Sequence, residues 1–151
     1  MNTIKFYIMP DSTALENSLF LQAVCQIIAR HYHLKERVFV LAEDQLQAEA
    51  IDELLWQMDP DEFIAHNLVG EGPRGGAPVE IGWQPSMNRR TTLIHLQQAV
   101  APNLQNYQHV VDFVPADEAG KQQARERYKV YRRLGLTPQT EPYQDDVADP
   151  S

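Results

Sequence analysis

The sequence is poor in several features that mark whole classes of protein. Cys25 is the only cysteine in 151 residues, so the chain can form neither an intrachain disulfide nor a zinc site built from cysteines. No apolar run approaches the roughly 18 residues of a membrane-spanning helix, and the N-terminus lacks the charged and apolar regions of a signal peptide. We therefore expect a soluble protein of the cytoplasm.

Positive charge is also scarce in this sequence. It has 13 lysines and arginines against 21 aspartates and glutamates, which gives a formal net charge of −8. This charge argues against a general nucleic-acid binder, because phosphate binding needs a dominant positive field and the release of counterions. With 43 % hydrophobic residues the composition is that of a globular protein, and the length suits one domain with a sizeable core.

Motifs for catalysis, cofactors and metals are missing or incomplete. The spacing Gly-x-Gly-x-x-Gly occurs at residues 70–75, but Pro73 removes a backbone donor and the next element is predicted to be a strand rather than a helix. We therefore expect no nucleotide and no cofactor at this loop. No two of the five histidines stand four residues apart, so a helical metal-binding pair is absent from the sequence. Ser12, Ser18 and Ser86 have no recognisable base partner, and Cys25 lies in an apolar helical run that predicts a buried core residue. The residues therefore give little support to an enzyme.

The order of apolar segments predicts an α/β fold. Five segments rich in β-branched, aromatic or alternating apolar residues are predicted strands: 3–8, 37–41, 63–66 at a sheet edge, 79–83 with one face exposed, and 108–114. Four segments with apolar residues at helical spacing are predicted helices: 15–34, 45–56, 93–104 and 121–133. This alternation is typical of an open, mostly parallel twisted sheet with helices on both faces, a Rossmann-like three-layer sandwich.

The end of the chain differs in composition from the rest. Residues 137–151 carry three prolines and four acids without apolar periodicity. Such a composition predicts an acidic, flexible tail. We therefore expect a single α/β domain over residues 1–136, followed by a tail over residues 137–151.

The segment Lys121–Arg133 stands out because it holds six of the 13 basic residues and one acid, Glu126. The residues that form one ridge of such a helix are Lys121, Arg125, Tyr128 and Arg132, with Lys129 beside them. The neighbouring face, which we expect to pack inward, carries Ala124, Tyr131 and Leu134. A positive stripe with an aromatic residue suits an anion that carries an apolar group. The alternative is a charged face that only contacts water.

Trp56 and Phe63 are a second candidate site. Trp56 lies at the end of a predicted helix, and Phe63 follows a loop interrupted by proline. If both side chains are exposed, they form a pair of aromatic anchors for a protein partner. The alternative is that they fill the core of the domain.

Three separated segments occur in an order typical of one protein family. They are His66–Trp83, Val110–Pro115 and Ala124–Arg132. Together they resemble the chi subunit family of the bacterial DNA polymerase III holoenzyme, and the likeness covers roughly residues 4–136. The resemblance implies a non-enzymatic α/β protein of DNA replication, with a fold like that of nucleotide-binding domains but without a nucleotide site.

The resemblance also implies two partners. The psi subunit, which tethers chi to the clamp loader, would bind at Trp56 and Phe63, a site that a helicase could use instead. The acidic C-terminal tail of single-stranded DNA-binding protein would bind at Val114, Lys121, Arg125, Tyr128 and Lys129. The residues alone leave a rival open, in which the helix at 121–133 binds single-stranded DNA directly and Tyr128 stacks on a base.

Overall fold

A computed structural model describes residues 3–15, 17–58, 63–72, 76–86 and 89–144 of the chain. The strands in these ranges are β1 (Thr3–Ile8), β2 (Val38–Leu41), β3 (His66–Leu68), β4 (Val79–Gly82), β5 (Thr92–His95), β6 (His109–Val114) and β7 (Gln139–Pro142). The helices are α1 (Ser12–Leu15), α2 (Asn17–His33), α3 (Gln45–Trp56), α4 (Glu118–Arg133) and a short 3₁₀ helix, Leu104–Asn106. Across the described ranges, no helix is both long and apolar enough to cross a membrane.

The strands form one seven-stranded sheet in the order β3-β4-β2-β5-β6-β1-β7. All of the described strand pairs are parallel. From β1, which lies next to one edge, the sheet is extended through β2 to the opposite edge at β3. Strands β4, β5 and β6 then return across the sheet, and β7 forms the edge beside β1. Helices α2 and α3 pack on one face, whereas α4 and the segment before β6 pack on the other. The prediction of an open parallel sheet with helices on both faces is therefore confirmed.

The centre of the sheet is buried from both sides. In β2, Val38 and Val40 pack in the layer with α2 and α3, whereas Phe39 and Leu41 pack in the layer with α4. Successive side chains of a strand point to opposite faces, so a strand covered on both faces needs an unbroken apolar run. This requirement explains why β2 could be recognised from the sequence.

Carboxylates cap the N-termini of the two helices that carry the candidate sites. The Asp44 carboxylate accepts a hydrogen bond from the Gln47 backbone nitrogen at 2.8 Å at the start of α3. The Asp117 carboxylate accepts one from the Gly120 backbone nitrogen at 2.8 Å at the start of α4. A negative charge at this end also complements the helix dipole.

The predicted helix over residues 93–104 is wrong. Residues 92–95 form β5, which pairs with β2 on one side and β6 on the other. The rest of the segment is irregular up to the 3₁₀ helix. Its apolar residues do recur at helical spacing, but they pack into different layers, Leu96 in the layer with α2 and Leu104 in the layer with α4. The pairing of Leu93 and Ile94 with a neighbouring strand on each side outweighs the helical spacing of the apolar residues.

Four other expectations need correction. The edge strand β3 begins at His66 rather than at residue 63. Strand β4 is buried at all four of its residues, rather than exposed on one face. Leu134 is exposed and does not pack inward. Residues 139–142 form β7, which pairs with β1, and Tyr143 is buried, so this part of the expected tail belongs to the sheet. Residues 145–151 lie outside the described ranges.

Candidate functional site

A groove of about 310 Å³ lies between α4 and the strands β1, β6 and β7. We call it the α4 groove, and its lining residues are Phe6, Val114, Lys121, Ala124, Arg125, Tyr128, Lys129 and Thr140. It brings together all five residues that the resemblance assigns to the tail of single-stranded DNA-binding protein. Phe6 and Thr140 also line the groove, but they lie in distant parts of the sequence, and no sequence pattern assigned them to this site.

The floor of the α4 groove is apolar. Phe6 and Ala124 are buried beneath it, and Val114 at the end of β6 is half-buried. The Phe6 ring centroid lies 5.9 Å from that of Tyr128 and 5.7 Å from that of Tyr131. The floor and the Tyr128 ring therefore offer a surface on which one aromatic ring of a ligand can pack.

The rim of the α4 groove is cationic. Lys121 lies 3.5 Å from the Glu118 carboxylate, in an exposed pair one helical turn apart. Lys129 lies 3.3 Å from Glu126 in a similar exposed pair. Exposed ion pairs contribute little to the free energy of folding and are easily broken, so both lysines remain available to a ligand.

Arg125 is the rim cation best suited to bind a carboxylate. Its Nη1 donates to the neutral Gln122 side chain at 3.2 Å, and within the described ranges no carboxylate pairs with it. A guanidinium can donate two parallel hydrogen bonds to a carboxylate, and this geometry favours arginine over lysine.

Arg127 belongs to the same basic segment but points into the protein. Its Nε donates to the Asp112 carboxylate at 2.9 Å, and its Nη2 donates to the Phe113 carbonyl at 3.0 Å. The Tyr131 hydroxyl donates to the same carboxylate at 2.8 Å. Burial and the Asp112 charge raise the pKa of Tyr131, which therefore stays protonated. The sequence signal for this network was the charged Asp112 inside an apolar strand, because a buried charge needs a partner.

The network with Asp112 orients α4. Residues two positions apart on a helix point in nearly opposite directions. Because Arg127 is held inward, Arg125 and Lys129 are turned outward to the rim of the groove. His95 lies next to the network, with its Nδ1 3.6 Å from Asp112. Burial lowers the pKa of His95, which favours the neutral ring.

Trp56 and Phe63 are exposed and adjacent. Each keeps 57 % of its surface accessible, and their ring centroids lie 6.0 Å apart. The alternative that they fill the core is therefore excluded. The His66 ring lies beside Trp56, with 4.8 Å between the centroids. The ring that supports Trp56 is held by a hydrogen bond of 2.8 Å between its Nδ1 and the Ile64 carbonyl oxygen, and its Nε2 lies 3.2 Å from Asp52 without forming a hydrogen bond.

The two candidate sites lie far apart on the sheet. Helix α3, which ends at Trp56, packs on one face over β3 and β4. The α4 groove lies on the other face, beside β6, β1 and β7. With about 4.8 Å between neighbouring strands, the two sites are separated by roughly 20 Å along the sheet. The two sites therefore share no lining residue and face opposite sides of the sheet.

The glycine-rich loop lies between β3 and β4, so a strand follows it. The nucleotide fingerprint requires a helix at this place to receive the phosphates. The Asn67 side chain accepts a hydrogen bond from the Ala77 backbone nitrogen at 2.7 Å, which ties the two ends of the loop together. Residues 73–75, with Arg74, lie outside the described ranges. In the ranges that are described, no three His, Cys, Asp or Glu side chains are grouped so that they could hold a metal ion.

Comparison with known proteins gives consistent matches. The family model for "DNA polymerase III chi subunit, HolC" matches residues 1–139. The chain is 44 % identical over 139 residues to the DNA polymerase III subunit chi of Escherichia coli, covering 90 % of this chain and 95 % of that protein. It is 39 % identical over 141 residues to the subunit of the same name from Haemophilus influenzae, covering 92 % and 96 %. The Pseudomonas aeruginosa subunit is 29 % identical over 136 residues, covering 89 % and 92 %. These matches confirm the resemblance drawn from the three sequence segments.

Proposed function

The chain belongs to the DNA polymerase III chi subunit family, and we propose that it acts as a non-catalytic adaptor of the bacterial holoenzyme during DNA replication. In the cytoplasm, it links the clamp-loader complex, through the psi subunit, to the acidic C-terminal tail of single-stranded DNA-binding protein. The observation that carries this proposal is the α4 groove, where an apolar floor lies beside a cationic rim.

The α4 groove suits a peptide that ends in acidic residues and an aromatic residue. The terminal ring packs on Phe6 and Val114, against the wall formed by Tyr128. Arg125 binds a carboxylate through two hydrogen bonds, and Lys121 and Lys129 add positive potential. A ligand with only charge would leave the apolar floor unused, and a ligand with only a ring would leave the rim unused.

The exposed pair Trp56 and Phe63 is the proposed contact for psi. Large exposed aromatic side chains are frequent anchors of protein interfaces, because they bury much surface and lose little conformational entropy. A helicase could bind at the same pair in place of psi. The distance from the α4 groove supports an adaptor, since each partner has a face of its own.

Direct binding of single-stranded DNA by α4 is less well supported. Arg127, one of the six basic residues of the segment, is buried and therefore cannot reach a phosphate. The apolar floor of the groove gives a further reason to favour a peptide.

Substitution of Arg125 and Trp56 tests the two proposed sites against each other. We expect Arg125→Ala to weaken binding of the tail peptide by about 1.5–3 kcal/mol, the range for hydrogen bonds to charged groups. It should leave psi binding unchanged. Trp56→Ala should weaken psi binding by at least about 2 kcal/mol and leave the peptide unaffected. Isothermal titration calorimetry with each partner measures both effects.

Arg133→Ala is the matched control, because Arg133 is exposed at the end of the same helix and does not line the groove. An unchanged peptide affinity in Arg125→Ala would contradict the tail site. Loss of both partners in Trp56→Ala would show that Trp56 supports the fold and is not a specific contact.

A further inference from the structure

A second concentration of positive charge lies at the amino edge of the sheet. A pocket of about 350 Å³ opens there, and we call it the arginine pocket after Arg37, Arg89 and Arg90 in its lining. Arg37 comes just before β2, and Arg89 and Arg90 come just before β5. Residues 105–108, which lead into β6, complete the lining. Because β2, β5 and β6 are neighbours in the centre of the sheet, three segments distant in sequence meet in one place.

The arginine pocket is positive in a molecule that is negative as a whole. The described residues that line it include three arginines and no acidic residue, whereas the chain has a formal net charge of −8. Burial, and also the nearby charge of Arg37, lower the pKa of Arg90, although Glu80 opposes this shift. The Glu80 carboxylate lies 3.8 Å from the Arg90 Nη2. Arg90 is buried beside this carboxylate, whereas Arg37 and Arg89 are exposed at the mouth of the pocket.

Arg90 is held in place as a rigid inner wall of this pocket. Its Nη1 donates to the carbonyl oxygens of Ala77 at 2.8 Å, Pro78 at 2.9 Å and Val38 at 3.2 Å. Gly76 has a φ of 80°, and a Cβ there would lie 2.6 Å from the Arg90 Nη2. The glycine therefore allows the loop to pass close to the guanidinium. A cation fixed in this way loses little entropy when an anion binds beside it.

The surrounding groups indicate an oxyanion with several acceptor oxygens. Gln105, Asn106 and Gln108 add amide groups that can donate hydrogen bonds, and Thr91 adds a hydroxyl. The charged oxygens of a phosphate are arranged tetrahedrally about phosphorus and can accept from guanidinium groups on more than one side, whereas the oxygens of a carboxylate lie in one plane that suits a single bidentate arginine. Burial raises the pKa of Tyr107 to about 12, so this side chain adds no negative charge near pH 7.

We propose that the arginine pocket binds a backbone phosphate of single-stranded DNA, without recognition of the base. Tyr107 is 3 % exposed, so the pocket has no accessible aromatic ring on which a base could stack. A single strand is flexible enough to turn one phosphate into a recess. The family to which the chain belongs works in DNA replication, where single strands are present.

The binding is weak and depends on salt. Since one phosphate charge is neutralised, the logarithm of the association constant falls with the logarithm of the salt concentration with a slope of about −0.7. The net charge of the chain lowers the affinity further. This interaction adds to the protein contacts of the adaptor and does not replace them.

Fluorescence anisotropy with a labelled oligothymidine at low salt tests the proposal. The variants are Arg37→Glu and Arg89→Glu, both at exposed positions, and the control is Arg133→Glu, which makes the same change of charge on α4. We expect each pocket variant to weaken binding by about tenfold, which corresponds to about 1.4 kcal/mol. The control should weaken it by less than about twofold, since Arg133 lies outside the pocket.

Competition identifies the chemistry of the ligand. An unlabelled oligothymidine should compete far better than inorganic phosphate or polyglutamate. Equal loss in all three variants would overturn the proposal, because only net charge would then matter. Equal competition by inorganic phosphate or polyglutamate, or no binding by the unaltered protein at low salt, would overturn it as well. Tail-peptide affinity should be unchanged in both pocket variants, which shows that they fold and separates this site from the adaptor function.

Discussion

Arg125 and Arg127 lie two residues apart on α4 and have different roles. Arg125 is exposed at the rim of the groove, whereas Arg127 is buried and bonded to Asp112. We expect Arg127→Ala to lower the free energy of unfolding by about 3–5 kcal/mol, because it leaves the Asp112 charge buried without its cation. Arg125→Ala should change it by less than about 0.5 kcal/mol. Urea denaturation of both variants measures the difference, and equal effects would contradict the assignment.

His95 gives the stability a dependence on pH. Burial lowers its folded pKa below the ordinary value of 6.5. Between these two values the unfolded chain binds more protons than the folded one, so stability falls as the pH drops through about 6.5. We expect His95→Asn to flatten the fall in unfolding free energy between about pH 7.5 and 5.

His33→Gln serves as the control for this pH dependence, because His33 is exposed at the end of α2. In this variant, the free energy of unfolding should fall with decreasing pH as steeply as it does in the unaltered protein. A steep slope that persists in His95→Asn would assign the pH dependence to other groups.

Strand β7 is an integral part of the domain and of the groove. The Tyr143 backbone nitrogen donates to the Ile8 carbonyl at 2.9 Å, and the Tyr143 ring lies 6.4 Å from Tyr7 and 5.4 Å from the Arg30 guanidinium. Loss of a large buried ring typically costs about 3 kcal/mol, so we expect Tyr143→Ala to destabilise the protein by this amount. Because Thr140 of β7 lines the groove, the same variant should also bind the tail peptide less tightly.

Tyr143→Phe separates packing from the hydroxyl group, and we expect it to retain most of the stability and the peptide affinity. Urea denaturation and calorimetry measure the two effects. If Tyr143→Ala behaves like a substitution at an exposed position, then β7 contributes little and the domain ends before it.

The sequence predicted those helices and strands in which the spacing of apolar residues matches the faces that are buried in the structure. Helix α3 was predicted with its observed bounds, and β2 was predicted because a strand buried on both faces needs an unbroken apolar run. Strand β5 was missed because its apolar run is short and the residues after it imitate helical spacing. Strand β7 was missed because Pro138, Glu141 and Pro142 are typical of an acidic tail, and because a single edge pairing with β1 is not visible in local sequence.

The molecule as a whole separates its two proposed partner sites. Trp56 and Phe63 lie at one end of the sheet on one face, and the α4 groove lies at the other end on the opposite face. Family resemblance supplied both sets of residues from the sequence. It could not supply Phe6 and Thr140, because only the parallel order of β6, β1 and β7 brings these strands under α4.

The most direct test of the adaptor is calorimetric titration of the tail peptide into this chain alone and into its preformed complex with psi. Distant, independent sites change each other by no more than about 0.5 kcal/mol, so the two dissociation constants should agree within about twofold. The complex should bind one peptide per chain and keep its psi. A peptide that displaces psi, or that fails to bind the complex, would contradict the account.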